Sequence, residues 1–434
     1  MNTTLAFLKY VFFSMLSMLG MSCYILADTL FISNGVGLNG LTALNLVLPI
    51  YNIIFAIGLL LGVGGATRYS ILKAQHKDEE ASLYYTIAIK IGIIISIPIM
   101  FVGYFGAETI VSLLGANNEI IQTASIYLKS FIIFTPFFIL QQIIISFIRN
   151  DQNPKLASIA MLIGTLFNIV FDYILVFPCQ LGMMGAALAT GISPIVSLLI
   201  ASYHFMSHKN QFHYLKTSFK MPILVDISQI GLPSFITELS SGIIIFAFNN
   251  IILSIGGNVA VASYGILSNL AIVVTSLYSG ISQGIQPLLS HSYGAHETKN
   301  LKIYLKLAFI TASVLSTLVF ISTLTIPDLI ISLFNSENNV MMASIAREGL
   351  PIYFTAFYFI GINMILVSYF SSIHQVKPSS FISILRSGTI MIPLLIILAY
   401  FLSLTGVWLS YPLSEAFIMI IALIILRKSN QNTI

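Results

Sequence analysis

Apolar residues along this chain fall in long runs, unlike the alternating pattern of half-buried strands or the narrow stripe of a surface helix. A spanning helix needs about 20 mostly apolar residues, because ~30 Å of hydrocarbon is crossed at ~1.5 Å per residue. Runs of that kind occupy 5–33, 43–65, 85–106, 120–147, 156–177 and 184–205, and then 229–253, 259–284, 304–326, 348–370, 379–401 and 406–426. They predict an all-α integral membrane protein of twelve transmembrane helices, six in each half. The most polar connector, 206–228, carries His208, Lys209, His213, Lys216 and Lys220. It reads as a linker between an N-terminal lobe, 1–205, and a C-terminal lobe, 229–434. The first run is longer than the ~7–15-residue core of a secretory signal and more spans follow it, so it is expected to remain as span 1.

Composition strengthens this picture. The 434 residues are 57% hydrophobic and 8% charged, with mean hydropathy +0.95, where soluble domains carry ~25% charged residues. A chain this apolar cannot cover its surface for water, so the lipid bilayer is its solvent. Net charge +4 gives no reason to expect nucleic acid, and Cys23 and Cys179 suit neither a disulfide scaffold nor a Cys-rich metal site.

Orientation follows from the basic residues. With both termini in the cytoplasm, the cytoplasmic segments hold fifteen of the 19 Lys and Arg. The connectors on the other side hold only Arg347, and Lys90, Lys129 and Arg386 lie within segments. This imbalance is the positive-inside signature and fits an even number of spans. The expected location is the plasma (cell inner) membrane.

The halves also resemble each other. Gly58 and Gly62 recur as Gly280 and Gly284 at an offset of 222, each pair expected to end the second span of its half before a basic loop. The same offset takes Asp28 to Asn250, while Pro154 and Pro378, 224 apart, open the fifth span of each half. Paired parallel repeats that rock about a central site are a common build of secondary transporters.

Four acids fall inside spans: Asp28, Asp172, Glu238 and Glu415. An ionisable group there costs several kcal/mol and is a functional candidate by default. Asn168 and Asp172, four residues apart, share a helix face of span 5. The short connector 178–183 makes span 6, with Thr190, the antiparallel neighbour of span 5. Counted from the helix ends, Asp28, Asp172 and Thr190 lie ~8–10 Å below the outer surface, with Tyr127 at similar depth. Two carboxylates, an amide and hydroxyls at one level suit Na⁺ or a proton. Amides and hydroxyls alone commonly glue spans together, whereas two buried carboxylates favour a site. Glu238, near mid-membrane after Pro233, is a second protonation candidate. Glu415 is expected to pair with Arg386, and Lys129 to snorkel outward. Abundant Phe, Tyr and Met suit a pocket for varied apolar substrates, as well as plain lipid contact.

These residues resemble a known family. The stretch from Ala27 to Ile32, the Gly58/Gly62 segment, Asn168 and Asp172, the Gly185–Thr190 run and the segment from Gln286 to Ala295 look like the multidrug and toxic compound extrusion (MATE) antiporters. The resemblance implies two six-helix lobes in a V, and export of organic cations or other drug-like compounds driven by inward Na⁺ or H⁺. It places the family's N-lobe cation site on Asp28, Asn168, Asp172 and Thr190, with Tyr127 nearby, and its span-7 acid on Glu238. Span 1 lacks the proline that bends it in some members, and span 10 lacks the Asp of a C-lobe acidic pair. The first departure argues against a proline-bent span 1, and the second shifts weight to the N-lobe.

The expectation is therefore a monomeric secondary transporter with no cofactor beyond its coupling ion. The alternatives are a flippase for lipid-linked precursors, which would favour a basic cavity, a channel, or a membrane enzyme. No HExxH motif supports the last.

Overall fold

The computed structural model describes residues 3–334 and 339–432. Among them the chain is mostly helical, without strands. Six spans form the first half: Thr3–Gly35, Leu38–Ala74, Asp78–Phe105, the pair Ile121–Ile132 and Thr135–Asn150, Pro154–Val176, and Gly182–Ala201. In the second half, Met221–Gly294 is far too long for one span, since 74 residues of helix would extend about 110 Å. It breaks at Gly257, whose φ of 64° is a left-handed value that glycine adopts without a Cβ clash, giving spans 7 and 8. Thr298–Thr325 is span 9, and Val340–Phe354 with Phe357–Ser372 is span 10. Val376–Ile384 leads through the π turn Leu385–Thr389 into Met391–Asn432, which breaks at Ser403 (φ 53°) into spans 11 and 12. Twelve spans result, as the apolar runs predict.

Spans 4 and 10 are bent at matching positions, by 49° and 44°. At each bend a threonine hydroxyl, Thr135 or Thr355, donates to the carbonyl three residues back at 2.6 Å, drawing that carbonyl away from the helical ladder. Pro136 adds to the first bend, because it has no N–H to give.

Both termini and the basic connectors share one end of the molecule, here called the terminal face. Each half has its own apolar core, with an exchange near that face: Phe7 and Val11 of span 1 pack in the C-terminal core, and Ile227 of span 7 packs in the N-terminal one. The seam between lobes is made by backbone against backbone. A Cβ on Gly64 would lie 2.1 Å from the Ile227 carbonyl oxygen, and one on Gly231 2.0 Å from that of Leu60. Gly280 and Gly284 likewise press against Met15 and Val11 of span 1. Across the seam Arg149 donates to Gln283 (2.6 Å), Asn150 to Gln286 (2.9 Å) and Gln286 to Thr67 (2.8 Å). Among the described residues, the side-chain hydrogen bonds between lobes lie between about mid-span and the terminal face.

One expectation needs correction. Gly58 and Gly62 do not end span 2, which continues to Ala74; they let Gln142 of span 4 approach, with would-be Cβ contacts of 2.7–2.9 Å. Their counterparts Gly280 and Gly284 serve a different contact, the lobe seam. The connector 206–228 is in part ordered against the N-terminal lobe. Helix resumes at Met221, and the segment before it is strapped to the N-terminal lobe. Phe212 is fully buried among Tyr69, Tyr85 and Phe147, with ring centroids 4.5–5.7 Å away. Gln211 N–H donates to Asp151, Leu215 N–H to Thr86, and Lys90 to the Thr217 carbonyl.

Two outcomes follow from this packing. Gly64→Ala with Gly231→Ala overpacks the seam at a cost of ~1–3 kcal/mol. Spin labels on the exposed turns at positions 76 and 296 should then report a longer-distance population raised roughly tenfold or more; an unchanged distance distribution would contradict the seam. Phe212→Ala should cost ~3–5 kcal/mol and lower the thermal midpoint in detergent, whereas Phe401→Ala, at an outward-facing residue 74% exposed, should leave it nearly unchanged.

Candidate functional site

Span 1 brings Asp28 to span 5 about ten ångströms below the face opposite the termini, counting ~1.5 Å per residue back from Gly35. The two helices pack side by side there, with Phe31 of span 1 edge-on to Tyr173 and Phe177. The Asp28 and Asp172 carboxyl groups lie within hydrogen-bonding reach of each other. Asp28 is 7% exposed and Asp172 fully buried. Two ionised carboxylates so placed repel strongly, so the pair needs a shared proton or a cation between its oxygens.

Asn168, one turn before Asp172 on the same face, braces the pair. Its amide satisfies both ends when the nitrogen faces Asp172 Oδ2 at 3.3 Å and the oxygen accepts from Thr190 N and Oγ1 at 3.2 Å. Thr190 holds this position because Gly191 beside it admits the ring of Phe134, 2.1 Å from a would-be Cβ. The bend in span 4 aims that ring, so the bend and the site are mechanically linked. Tyr127 is buried, stacks on Phe131 at 6.3 Å, and sets its hydroxyl beside Thr190, Asp28 and Asp172. The structure thus gathers Asp28, Asn168, Asp172, Thr190 and Tyr127 from four spans. Oδ1 of Asp28 and Oδ1 of Asp172 are buried without a hydrogen-bond partner.

This donor set of carboxylate, amide and hydroxyl oxygens fits a hard cation. Among the described residues no group of three or more His, Cys, Asp or Glu is placed to hold a metal ion.

Glu238 lies elsewhere. It sits ~25 Å along span 7 from the terminal face, half-buried, and close enough to Tyr51 of span 2 to interact electrostatically. No described side chain makes an ion pair or hydrogen bond with its carboxylate. It is an unpaired carboxyl group at mid-depth, near Tyr51 of the other lobe.

Glu415 does pair with Arg386, at 3.1 Å, and also accepts from Asn363 at 2.7 Å. This closed cluster ties spans 10, 11 and 12 together at the π turn. Lys129 reaches Glu108 at 3.1 Å on the exposed edge, as a snorkelling lysine does.

Sequence reasoning missed the groups just below the carboxylates. Tyr24, one turn before Asp28, shares a 2.6 Å hydrogen bond with Tyr51. Gln141 and Gln142 line the same hollow as Tyr24, Tyr51, Asn168 and Thr190. Two adjacent glutamines inside an otherwise apolar run were the available signal.

Comparison with known proteins agrees with this geometry. The family model described as MatE matches residues 14–174 and again 233–397, once in each half. Multidrug export protein MepA of Staphylococcus saprophyticus is 28% identical over 388 residues, covering 89% of this chain and 85% of that protein. Among solved structures, the outward-facing conformation of a multidrug resistance MATE family transporter of the MOP superfamily superposes with TM-score 0.92 at 22% identity, over 99% of this chain and 96% of that one. A MOP superfamily transporter from Pyrococcus furiosus gives 0.91, also at 22% identity and the same coverage. With the family model matched across most of both halves, the chain belongs to the MatE family of membrane transporters, and it is not an enzyme.

Proposed function

We propose that this protein is a multidrug exporter that moves amphipathic, mostly cationic organic compounds out of the cell in exchange for Na⁺ or H⁺ entering at Asp28 and Asp172. The observation that carries the reading is the buried carboxyl pair with two unpartnered oxygens. The distribution of basic residues supports a cytoplasmic terminal face in the plasma membrane. A seam closed on that face then corresponds to a cleft open to the outside, the state that releases substrate and receives the ion.

Coupling requires that ion and substrate favour different conformations. An empty, doubly charged pair pushes spans 1 and 5 apart, and a loaded pair lets them close. Because span 1 also contributes Met15 and Val11 to the seam, its position is felt by both lobes. Glu238 supports the preference for cationic substrates, since a free carboxylate at mid-depth attracts an organic cation and repels an anion. The protein acts as a monomer on this reading, each chain holding one complete site.

Dye efflux from everted vesicles under imposed Na⁺ or pH gradients tests the coupling. Asp28→Asn and Asp172→Asn should each abolish gradient-driven efflux while leaving equilibrium dye binding within a few-fold of the unmodified protein. Full transport by both variants would refute the assignment. Glu238→Gln should weaken binding of a cationic dye about tenfold, in line with ~1.5 kcal/mol for a charged contact, and leave a neutral dye of similar size unaffected. Equal losses for both dyes would remove the electrostatic role.

A further inference from the structure

Beneath the carboxylate pair the N-terminal lobe keeps a hollow of about 30 Å³, enough for one or two waters or a small ion. Asn168 and Thr190 form its roof, Thr165 and Tyr24 its walls, and Gln141 and Gln142 its lower side. The two glutamines are 9% and 6% exposed, and neither side chain hydrogen-bonds another described residue. Their amides line the open space of the hollow, where they are free to hydrogen-bond a water or ligate a cation.

The depth is informative. Asp172 lies ~27 Å along span 5 from the terminal face, while Thr165 and Gln141 lie ~14–16 Å from it. The hollow covers the stretch between the carboxylates and the closed seam. At its floor stands Met161, whose sulfur accepts from Arg149 Nη2 at 3.8 Å. Arg149 is buried, its Nε has no partner, and it forms no salt bridge with any described carboxylate. Its Nη1 is held across the seam by Gln283 of the other lobe. An uncompensated guanidinium here opposes any cation coming down from above.

At the corresponding place the C-terminal lobe carries an ion-paired cluster. The offsets between the halves match Gln141 with Asn363, Leu162 with Arg386, and Gly191 with Glu415. Those three C-lobe residues are joined in the ion-paired cluster described above. An ion pair occupies one lobe where the other keeps a polar hollow.

We propose that this hollow is a second station for the coupling cation on its way to the terminal face, ligated by the amide oxygens of Gln141 and Gln142 and gated by Arg149. The inference rests on the cation-coupled reading above. In the state seen here Gln283 holds the guanidinium in place. When the lobes part at the terminal face that bond is lost, the guanidinium moves aside, and the cation leaves. Ion release is thus tied to lobe opening without a separate gate.

The test uses the full-length protein in proteoliposomes, with ethidium as substrate, a trapped pH or Na⁺ indicator as second readout, and each gradient imposed in turn. Gln141→Met with Gln142→Met keeps side-chain volume and removes both amides. Ethidium binding at equilibrium should be unchanged, and gradient-driven transport should fall at least tenfold. Arg149→Gln should let the driving ion leak without ethidium, at several times the rate of the unmodified protein. Transport by the double variant at the unmodified rate overturns the proposal, as does a tight Arg149→Gln variant. Should the double variant lose ethidium binding, Gln142→Met alone decides by the same criteria. An unmodified protein that answers to neither gradient refutes the coupled reading itself, a result separate from both.

Discussion

Holding two carboxyl groups away from water at a depth where most of the surrounding side chains are hydrocarbon is the constraint on which this structure turns. Each isolated charge there is expensive, and two in contact add repulsion to desolvation. The N-terminal lobe responds by surrounding the pair with an amide and two hydroxyls while leaving one oxygen on each carboxyl without a protein partner. A lobe built only for stability would satisfy those oxygens, as the other lobe does with Arg386 and Asn363 around Glu415. The contrast between the lobes separates a carboxyl pair with open valences from a carboxylate whose partners are all supplied by the protein.

The rest of the architecture delivers helices to that pair and transmits its state. The bend of span 4 places Phe134 against Gly191, which fixes Thr190; Thr190 holds Asn168, and Asn168 holds Asp172. Span 1 carries Asp28 at one end and touches the backbone of span 8 at the other. Contacts between backbones at glycines have little slack, because no side chain can rotate to relieve them. The seam is therefore suited to two discrete positions more than to gradual deformation.

Much of this was legible in the sequence. Hydrocarbon thickness dictates segment length so strongly that all twelve spans could be read from apolar runs, and helix rise alone put Asp28, Asp172, Thr190 and Tyr127 at one level. The periodicity of span 5 put Asn168 on the same face as Asp172. What could not be read depended on packing between segments. Apolar content does not show that span 2 runs on to Ala74 through Arg68 and Lys73, since helix continues past the lipid wherever neighbours satisfy it. The polarity of 206–220 marks a connector, but it does not show that a single phenylalanine, Phe212, finds a pocket of aromatic rings on the N-terminal lobe. Gly58 and Gly280 are related by sequence and yet meet different partners, because which face of a helix meets the other lobe is decided by three-dimensional placement. Gln141 and Gln142 stood in plain view in span 4, but an amide in an apolar run carries no sign of whether it faces a neighbour or a void.

The strapped connector has a mechanical consequence. With Phe212 and the backbone around it fastened to one lobe, freedom between the lobes is confined to the few residues near Lys220 and Met221, close to the membrane surface. A hinge at one edge of a ~30 Å slab acts as the fulcrum of a lever. A rigid-body turn of about 15°, the size known from subunit rotation in haemoglobin, would sweep the far edge through roughly 8 Å. Small rearrangements near the fulcrum are thereby magnified into a wide mouth on the opposite surface.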